Sequence, residues 1–255
     1  MSVLSHLKNR ATDATLSTVE NDSINTSINT ISSRLNYHFG TGLSTHFRFG
    51  SSTRGTILPR RLDQNSDIDY MVVFSEGGYQ PQTYLSRLKS FAETYYSSST
   101  IKQSSPSIVL ELNHIKFDLV PALTAIFGEY KIPDLSLGWQ DTSPREFNSE
   151  LTDANQRSGN NLKPAIRLAK VWNASRSYVF ESYSLERHCA QQSFWFASNL
   201  RDYFYGIIES LPSYVSTQWR QTEISRAKRI VSETKQLETD GYPYLAEEKI
   251  KELIP

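Results

Sequence analysis

Two aspartates separated by a single residue open a strongly apolar stretch in the first third of the chain. Asp67 and Asp69 lead into residues 70–74, whose aromatic and β-branched side chains favour a β-strand. Successive side chains of a strand point to opposite faces, so both carboxylates project from the same face. Two carboxylates on one face repel each other unless a cation lies between them, and Mg²⁺ takes such ligands together with substrate phosphates. The spacing therefore predicts a divalent metal site.

A turn of small residues precedes this pair. Residues 46–49 have short β character, and Gly50 and Ser51 follow directly. Because small residues let backbone N–H groups approach a phosphate closely, Gly50 and Ser51 are candidate phosphate ligands. Arg54 lies just beyond them in a polar loop, where a contact with a phosphate and simple exposure to solvent are equally good interpretations.

A third carboxylate lies in a later segment. Residues 108–112 and 115–120 predict an antiparallel hairpin, and Asp118 falls on its second strand between two apolar residues. An aspartate in that position is costly to bury without a partner. A metal shared with Asp67 and Asp69 supplies one, and three carboxylates predict a site for two metal ions.

These residues resemble the signature of the polymerase-β-type nucleotidyltransferases, which is a Gly-Ser turn, an Asp-x-Asp pair and a distant third Asp. Within that superfamily the chain is most similar to the cGAS/DncV-like nucleotidyltransferases, bacterial enzymes that make cyclic oligonucleotide signals. Further blocks resemble the family in the same order: Val120-Pro121-Ala122, Tyr130-Lys131-Ile132-Pro133, Gly138-Trp139, Ser143-Pro144, Leu168-Ala169-Lys170-Val171-Trp172-Asn173 and Ser182-Tyr183-Ser184-Leu185-Glu186. The resemblance spans most of the chain.

The resemblance also implies nucleotide contacts in the second half of the chain. Related enzymes carry a triphosphate-binding lysine on a helix, followed by a serine, and Lys170 and Ser182 match these positions. Tyr183 matches a tyrosine whose ring stacks on the base. From the residues alone, a lysine on a helix face such as Lys170 is usually just solvated, and the phosphate-binding role comes from the resemblance. Near Asp67, the resemblance implies that the Ser51 hydroxyl and its neighbouring N–H groups hold the β- and γ-phosphates.

The implied reaction is template-independent nucleotidyl transfer, in which a nucleotide hydroxyl attacks the α-phosphate of a bound triphosphate and pyrophosphate leaves. The resemblance implies that Asp67 and Asp69 hold two Mg²⁺ ions, with Mn²⁺ as a substitute. Asp118 then holds the ion that activates the hydroxyl. The implied product is a cyclic di- or trinucleotide or a related short oligonucleotide messenger, and the implied role is antiphage signalling.

Two other functions stay open. One is an RNA 3′-end nucleotide-adding enzyme of the poly(A) polymerase or tRNA-modifying kind, and the other is a catalytically silent nucleotidyltransferase fold that binds proteins. The formal net charge of zero disfavours long nucleic acid as a partner, because proteins that track it commonly carry a basic excess. The three carboxylates disfavour a silent scaffold. A regulatory protein partner stays open.

The elements that must position these residues form two parts. Residues 1–140 predict an α/β catalytic lobe, a polymerase-β-like mixed sheet with a long N-terminal helix, or two collinear ones, over residues 2–39. Residues 141–255 predict a helical lobe, with a nucleotide cleft between the two. Residues 97–107 predict a loop because they are rich in serine, and residues 123–145 predict an irregular crossing segment.

Composition excludes several classes of protein. Of the 255 residues, 38% are hydrophobic and 21% charged, which is typical of globular proteins, and no apolar run approaches the roughly 18 residues of a membrane span. The N-terminus lacks the basic and apolar segments of a secretory signal, which predicts a cytoplasmic location. Cys189 is the single cysteine, so no intramolecular disulfide can form.

Overall fold

The computed structural model describes residues 2–104, 106–125, 129–134, 136, 138–213, 215 and 217–255. The helices are α1 (Val3–Asp13), α2 (Thr18–Phe39), α3 (Ser51–Arg54), α4 (Pro81–Tyr95), α5 (Pro144–Arg157), α6 (Leu162–Ser175), α7 (Ser182–Gln191), α8 (Leu200–Ser210), α9 (Gln218–Thr239) and α10 (Pro243–Lys251). The strands are β1 (Leu43–Arg48), β2 (Asp67–Phe74), β3 (Thr100–Ser104), β4 (Ser107–Glu111), β5 (Lys116–Thr124), β6 (Tyr130–Pro133) and β7 (Trp139–Thr142).

The chain forms two compact units that interleave in sequence. The first unit comprises Met1–Leu16, Arg61–Gln64 and Ser149–Pro255, and the second comprises Ser17–Arg60 and Asn65–Asn148. The division into lobes at residues 140 and 141 stays a prediction.

A mixed sheet forms the centre of the second unit, as the sequence predicts. Its strand order is β1-β2-β5-β4-β3, and β6 and β7 extend it from β5. β2 and β5 pair in parallel, whereas β1 pairs with β2 and β4 with β5 in antiparallel fashion. The predicted hairpin that carries Asp118 is therefore present as β4 and β5. Met71 and Val73 on β2 are completely buried, as their apolar character requires.

Helices α2 and α4 cover this sheet. The buried residues of α4 include Tyr84, Leu88 and Phe91, which recur at helical spacing. Pro81 occupies the first turn of α4, where the missing N–H of a proline has no intrahelical partner to lose.

The N-terminal region contains two helices rather than one. α2 begins with a capping box, in which the Ser17 side chain accepts a hydrogen bond from the Glu20 N–H and the Glu20 carboxylate accepts one from the Ser17 N–H. This local signal starts a new helix at Thr18, separate from α1. α1 belongs to the first unit and α2 to the second.

The first unit is helical over most of its length, in agreement with the prediction. α6 packs against α8 and α1, and α9 packs against α10. Trp172 and Ile166 on α6 are buried in this packing. No helix among the described residues is both long and apolar enough to cross a membrane.

Two loop predictions are wrong in part. Residues 97–107 contain β3, an edge strand whose polar residues pair with β4 through the backbone. Residues 123–145 contain β6 and β7. Backbone hydrogen bonds to a neighbouring strand stabilise such short polar strands. No local periodicity in the sequence predicts these strands. Residues 105, 126–128, 135 and 137 of these segments lie outside the described residues.

Candidate active site

The parallel pairing of β2 and β5 brings the three predicted carboxylates to one face of the sheet. Asp69 lies opposite Asp118 in the register, and Asp67 lies opposite Lys116. Register partners on adjacent strands point to the same face, so all four side chains share it. The Lys116 Nζ lies 3.4 Å from the Asp67 Oδ2, which places one cation among three acids.

The charge of Asp118 in this carboxylate cluster is buried with little compensation. Its Oδ1 is buried and has no hydrogen-bond partner among the described residues, and its Oδ2 accepts a 3.4 Å hydrogen bond from the Ser107 hydroxyl. Burial and the nearby Asp67 raise the pKa of Asp118 to about 6, against the opposing effects of Lys116 and Ser107. An additional positive charge would stabilise this carboxylate.

Gly50 brings the small-residue turn directly against Asp69. A Cβ atom at position 50 would lie 1.8 Å from the Asp69 Oδ2, and the φ of Gly50 is +71°, which only glycine adopts readily. The Phe49 N–H also donates a 2.9 Å hydrogen bond to the Asp69 carbonyl. The turn and the Asp69 carboxylate therefore lie side by side.

Beyond Gly50, Ser51 begins the one-turn helix α3 and is half-buried. Arg54 ends that helix and is only 7% exposed, and its guanidinium carbon lies 5.1 Å from the centroid of the Phe147 ring. Arg54 thus packs inside the second unit. Its predicted contact with a phosphate stays a prediction.

The other predicted nucleotide ligands lie in the first unit. Lys170 on α6 is 5% exposed, and its Nζ lies 2.8 Å from the Glu186 Oε1 on α7. Ser182 is the first residue of α7, and the next residue, Tyr183, is 45% exposed. The nucleotide-binding roles of Lys170, Ser182 and Tyr183 stay predictions.

The sequence reasoning missed Glu186 as the partner of Lys170. Glu186 lies one turn after the predicted phosphate-binding serine, and nothing in the local pattern marks it as buried. In the folded protein Glu186 is 1% exposed and needs a buried countercharge, which Lys170 on the preceding helix supplies.

The carboxylate cluster fits a hard divalent cation by its chemistry. Carboxylate oxygens are the ligands that Mg²⁺ prefers. The Asp118 Oδ1 is shielded from water and has no hydrogen-bond partner among the described residues, so a bound cation would stabilise its negative charge. Among the described residues, no three His, Cys, Asp or Glu side chains are already arranged around one metal position.

Comparison with family models places the first part of the chain in a known group of sequences. Residues 1–155 match the model described as "Second Messenger Oligonucleotide or Dinucleotide Synthetase domain". This stretch contains Gly50, Ser51 and all three carboxylates.

Two curated proteins are similar in sequence. A probable cyclic nucleotide synthase of Bacillus cereus is 36% identical over 98 residues, which cover 36% of this chain and 30% of that protein. A cyclic AMP-AMP-AMP synthase of an Acinetobacter species is 24% identical over 180 residues, covering 68% of this chain and 52% of that protein. The chain thus matches about half or less of the length of each relative.

Solved structures share the fold over nearly the whole chain. Vibrio cholerae DncV cyclic AMP-GMP synthase, in complex with a linear intermediate, has a TM-score of 0.79 at 12% identity and covers 99% of this chain and 95% of its own. E. coli MS115-1 CdnC with ATP has a TM-score of 0.73 at 16% identity, covering 98% of this chain and 97% of its own. At such identities the likeness establishes the fold, and the polymerase-β-like fold prediction is confirmed.

Proposed function

This chain belongs to the second messenger oligonucleotide or dinucleotide synthetase family, the cGAS/DncV-like nucleotidyltransferases, and we propose that it joins ribonucleoside triphosphates without a template. The proposed product is a cyclic di- or trinucleotide or a short oligonucleotide messenger. The observation that carries the proposal is the pairing of Asp69, which lies against Gly50, with Asp118, whose buried Oδ1 has no hydrogen-bond partner among the described residues. The names of the two curated relatives, both synthases of cyclic nucleotides, support the product class.

In this proposal Asp67, Asp69 and Asp118 hold two divalent ions, Mg²⁺ by preference with Mn²⁺ as a substitute. Such ions, when bound, neutralise the charge that develops on the attacking and leaving oxygens. The protein itself contributes the orientation of the reactants and a partly dehydrated setting for their charges. Asp69 is fixed for this role by its position in a central strand and by the adjoining Gly50.

The phosphates have a proposed binding surface at the start of α3. The Ser51 hydroxyl and the first N–H groups of α3 donate hydrogen bonds to the phosphates, and the missing side chain of Gly50 leaves room for their approach. Arg54 would reach a phosphate only by leaving the Phe147 ring. Because this phosphate contact places the triphosphate next to the carboxylates, it sets which phosphorus atom is attacked.

Further proposed contacts come from the first unit. The exposed ring of Tyr183 is suited to stack on a base, which is worth about 1–3 kcal/mol. Ser182 begins α7 and would donate its hydroxyl to a phosphate. Lys170 would have to share its charge between Glu186 and a phosphate, so its contact is the most demanding of the three.

The proposed partners follow from the solved structures of relatives. Structures of CdnC with ATP and of Bradyrhizobium diazoefficiens CdnG with GTP support ribonucleoside triphosphates as substrates. A structure of CdnC with a HORMA protein supports a regulatory protein partner for this chain. Antiphage signalling is the proposed role of the product, and a cytoplasmic location stays a prediction.

The test is a direct synthesis assay. Purified protein is incubated with Mg²⁺ and all four labelled ribonucleoside triphosphates, treated with phosphatase, and resolved by chromatography and mass spectrometry. We expect a small phosphatase-resistant product that is missing from the Asp67→Ala/Asp69→Ala control. A reaction that extends added total RNA, with no small product, would instead support the RNA 3′-end enzyme. No product in either reaction would leave a missing activator or the silent scaffold.

A further inference from the structure

Helix α3 is too short to hold its own shape. It consists of one turn, Ser51–Arg54, between Gly50 with a φ of +71° and Gly55 with a φ of +73°. The Thr56 and Ile57 N–H groups both return to the Ser51 carbonyl, at 3.1 and 3.2 Å, and close the turn. Because a single helical turn fixes many dihedral angles for few hydrogen bonds, it is unstable in isolation. Contacts from elsewhere must therefore hold α3 in place.

One such contact comes from the first turn of α5. Phe147 is 5% exposed, and its ring faces the buried guanidinium of Arg54, with 5.1 Å between the guanidinium carbon and the ring centroid. A cation over an aromatic face is attracted by the ring quadrupole, and the attraction grows when water is excluded. The ring thus fixes the C-terminal end of α3.

The second contact comes from the next residue of α5. The Asn148 side-chain amide donates a 3.0 Å hydrogen bond to the Thr53 hydroxyl, and that hydroxyl donates a 2.9 Å hydrogen bond to the Gly50 carbonyl. The hydroxyl therefore accepts from α5 and donates to the turn at the same time. This relay links Asn148 to the peptide group that joins Gly50 to Ser51.

We propose that Phe147 and Asn148 are positioning residues for the phosphate-binding turn. Neither residue has to touch the nucleotide, since each acts through α3. The inference rests on the proposed function of Ser51. In it, Phe147 and Asn148 keep the Ser51 side chain and the neighbouring N–H groups in place beside Asp69. A displacement of about 1 Å in such a turn is enough to weaken a productive geometry strongly.

The experiment compares Phe147→Leu and Asn148→Ala with a matched control, Phe91→Leu. Phe91 is a fully buried phenylalanine in the same unit, and its ring contacts are with residues of α2 and α4 and with Tyr96. Hydrogen exchange of the amides of residues 51–57 is measured in the absence of nucleotide. Binding of α,β-methylene ATP and α,β-methylene GTP is measured by calorimetry.

We expect both α5 variants to speed exchange in residues 51–57 about tenfold and to weaken analogue binding by a similar factor, as expected for losing one hydrogen bond or one cation–π contact. Phe91→Leu should lower the melting temperature at least as much as Phe147→Leu and leave both readouts at their wild-type values. Thr53→Val removes both the hydrogen bond from Asn148 and the one to the Gly50 carbonyl, so its effect should be at least that of Asn148→Ala. Adding Asn148→Ala to Thr53→Val should change neither readout further.

The proposal is overturned if exchange in residues 51–57 is unchanged in the α5 variants, or if Phe91→Leu speeds it equally. The exchange readout does not depend on catalysis. A wild-type protein that makes no product would therefore count against the proposed function, whereas an unaltered exchange pattern would count against the positioning role alone.

Discussion

The side chains of Lys170 and Glu186 form an ion pair in the first unit, whereas Asp67, Asp69 and Asp118 form a carboxylate cluster in the second. The ion pair is almost fully buried, and its two charges lie 2.8 Å apart. In the carboxylate cluster, Lys116 is one cation beside three acids, and the Asp118 Oδ1 is buried without a partner among the described residues.

The difference shows that burial of charge does not by itself mark a metal site. In a buried pair of opposite charges, each charge compensates the other, and the pair specifies how two helices pack. A cluster of like charges is costly in the absence of a ligand, and that cost is recovered when a cation binds. The unpartnered Oδ1 of Asp118, rather than the depth of burial, therefore distinguishes the candidate metal site from the buried ion pair.

The largest effect that the comparison predicts is on synthesis. Asp69→Ala removes one carboxylate from the cluster, and the loss of several kcal/mol of charge stabilisation corresponds to a fall of about 10³-fold or more in product formation. Folding should stay cooperative because a repulsion is also removed. The synthesis assay and a thermal melt measure the two quantities, and a variant that retains normal activity would contradict the assignment of the site.

Breaking the ion pair, in contrast, should mainly lower the stability of the protein. Glu186→Ala leaves the Lys170 ammonium buried without its carboxylate, which should cost about 3–5 kcal/mol in the free energy of unfolding. Urea denaturation measures this change. The double variant Lys170→Met/Glu186→Leu is the control, and it should recover most of the loss. A cost below about 1 kcal/mol would show that the pair is better hydrated than its burial indicates.

A smaller effect of opposite sign is expected at Asp118. The pKa of Asp118 is raised from 3.8 to about 6, so its ionisation opposes folding above pH 6 and has no effect below about pH 4. Asp118→Asn should therefore stabilise the metal-free protein at pH 7 by about 1–3 kcal/mol. The gain should shrink as the pH falls from 6 to 4.

Urea titrations of both proteins in EDTA across this pH range measure the gain in stability from Asp118→Asn. The same titrations with added Mg²⁺ provide the control, because the ion should stabilise the wild type and not the variant. A gain that is independent of pH would locate its cause outside the carboxyl group.

The smallest effect concerns how accessible the buried thiol next to the ion pair is to a reagent. Cys189 is fully buried on α7, and burial together with the nearby Glu186 raises the pKa of its thiol. A thiol reagent such as dithionitrobenzoate should therefore not react with the native protein. Reaction should begin only as urea unfolds it, which the absorbance of the released thiolate reports. Fast labelling of the native state would show that this region opens readily.

Local patterns were sufficient to predict the central part of the site. The alternation around Asp67 and Asp69 and the hairpin that carries Asp118 depend on residues close in sequence. The Gly50 turn was also predicted, although its contact with the Asp69 carboxylate was not. The sequence thus predicted residues that the structure brings together, and it left their distances undetermined.

Features that depend on distant residues were not predictable. The burial of Arg54 against Phe147 joins segments that no local pattern connects, and the pairing of Lys170 with Glu186 joins two successive helices. The edge strand β3 is polar, so it has neither the apolar alternation of a half-buried strand nor a turn signal. Each of these features is determined by tertiary contacts rather than by intrinsic preference.

The parallel pairing of β2 with β5 also has a consequence for folding kinetics. β4 and β5 meet through a short connection, whereas β2 and β5 are separated in sequence by α4, β3 and β4. Closing a long loop delays a non-local pair, so the hairpin should form early and the parallel pair late. Asp69 and Asp118 would then meet near the end of the process, and refolding chains should regain secondary structure before they regain affinity for divalent ions.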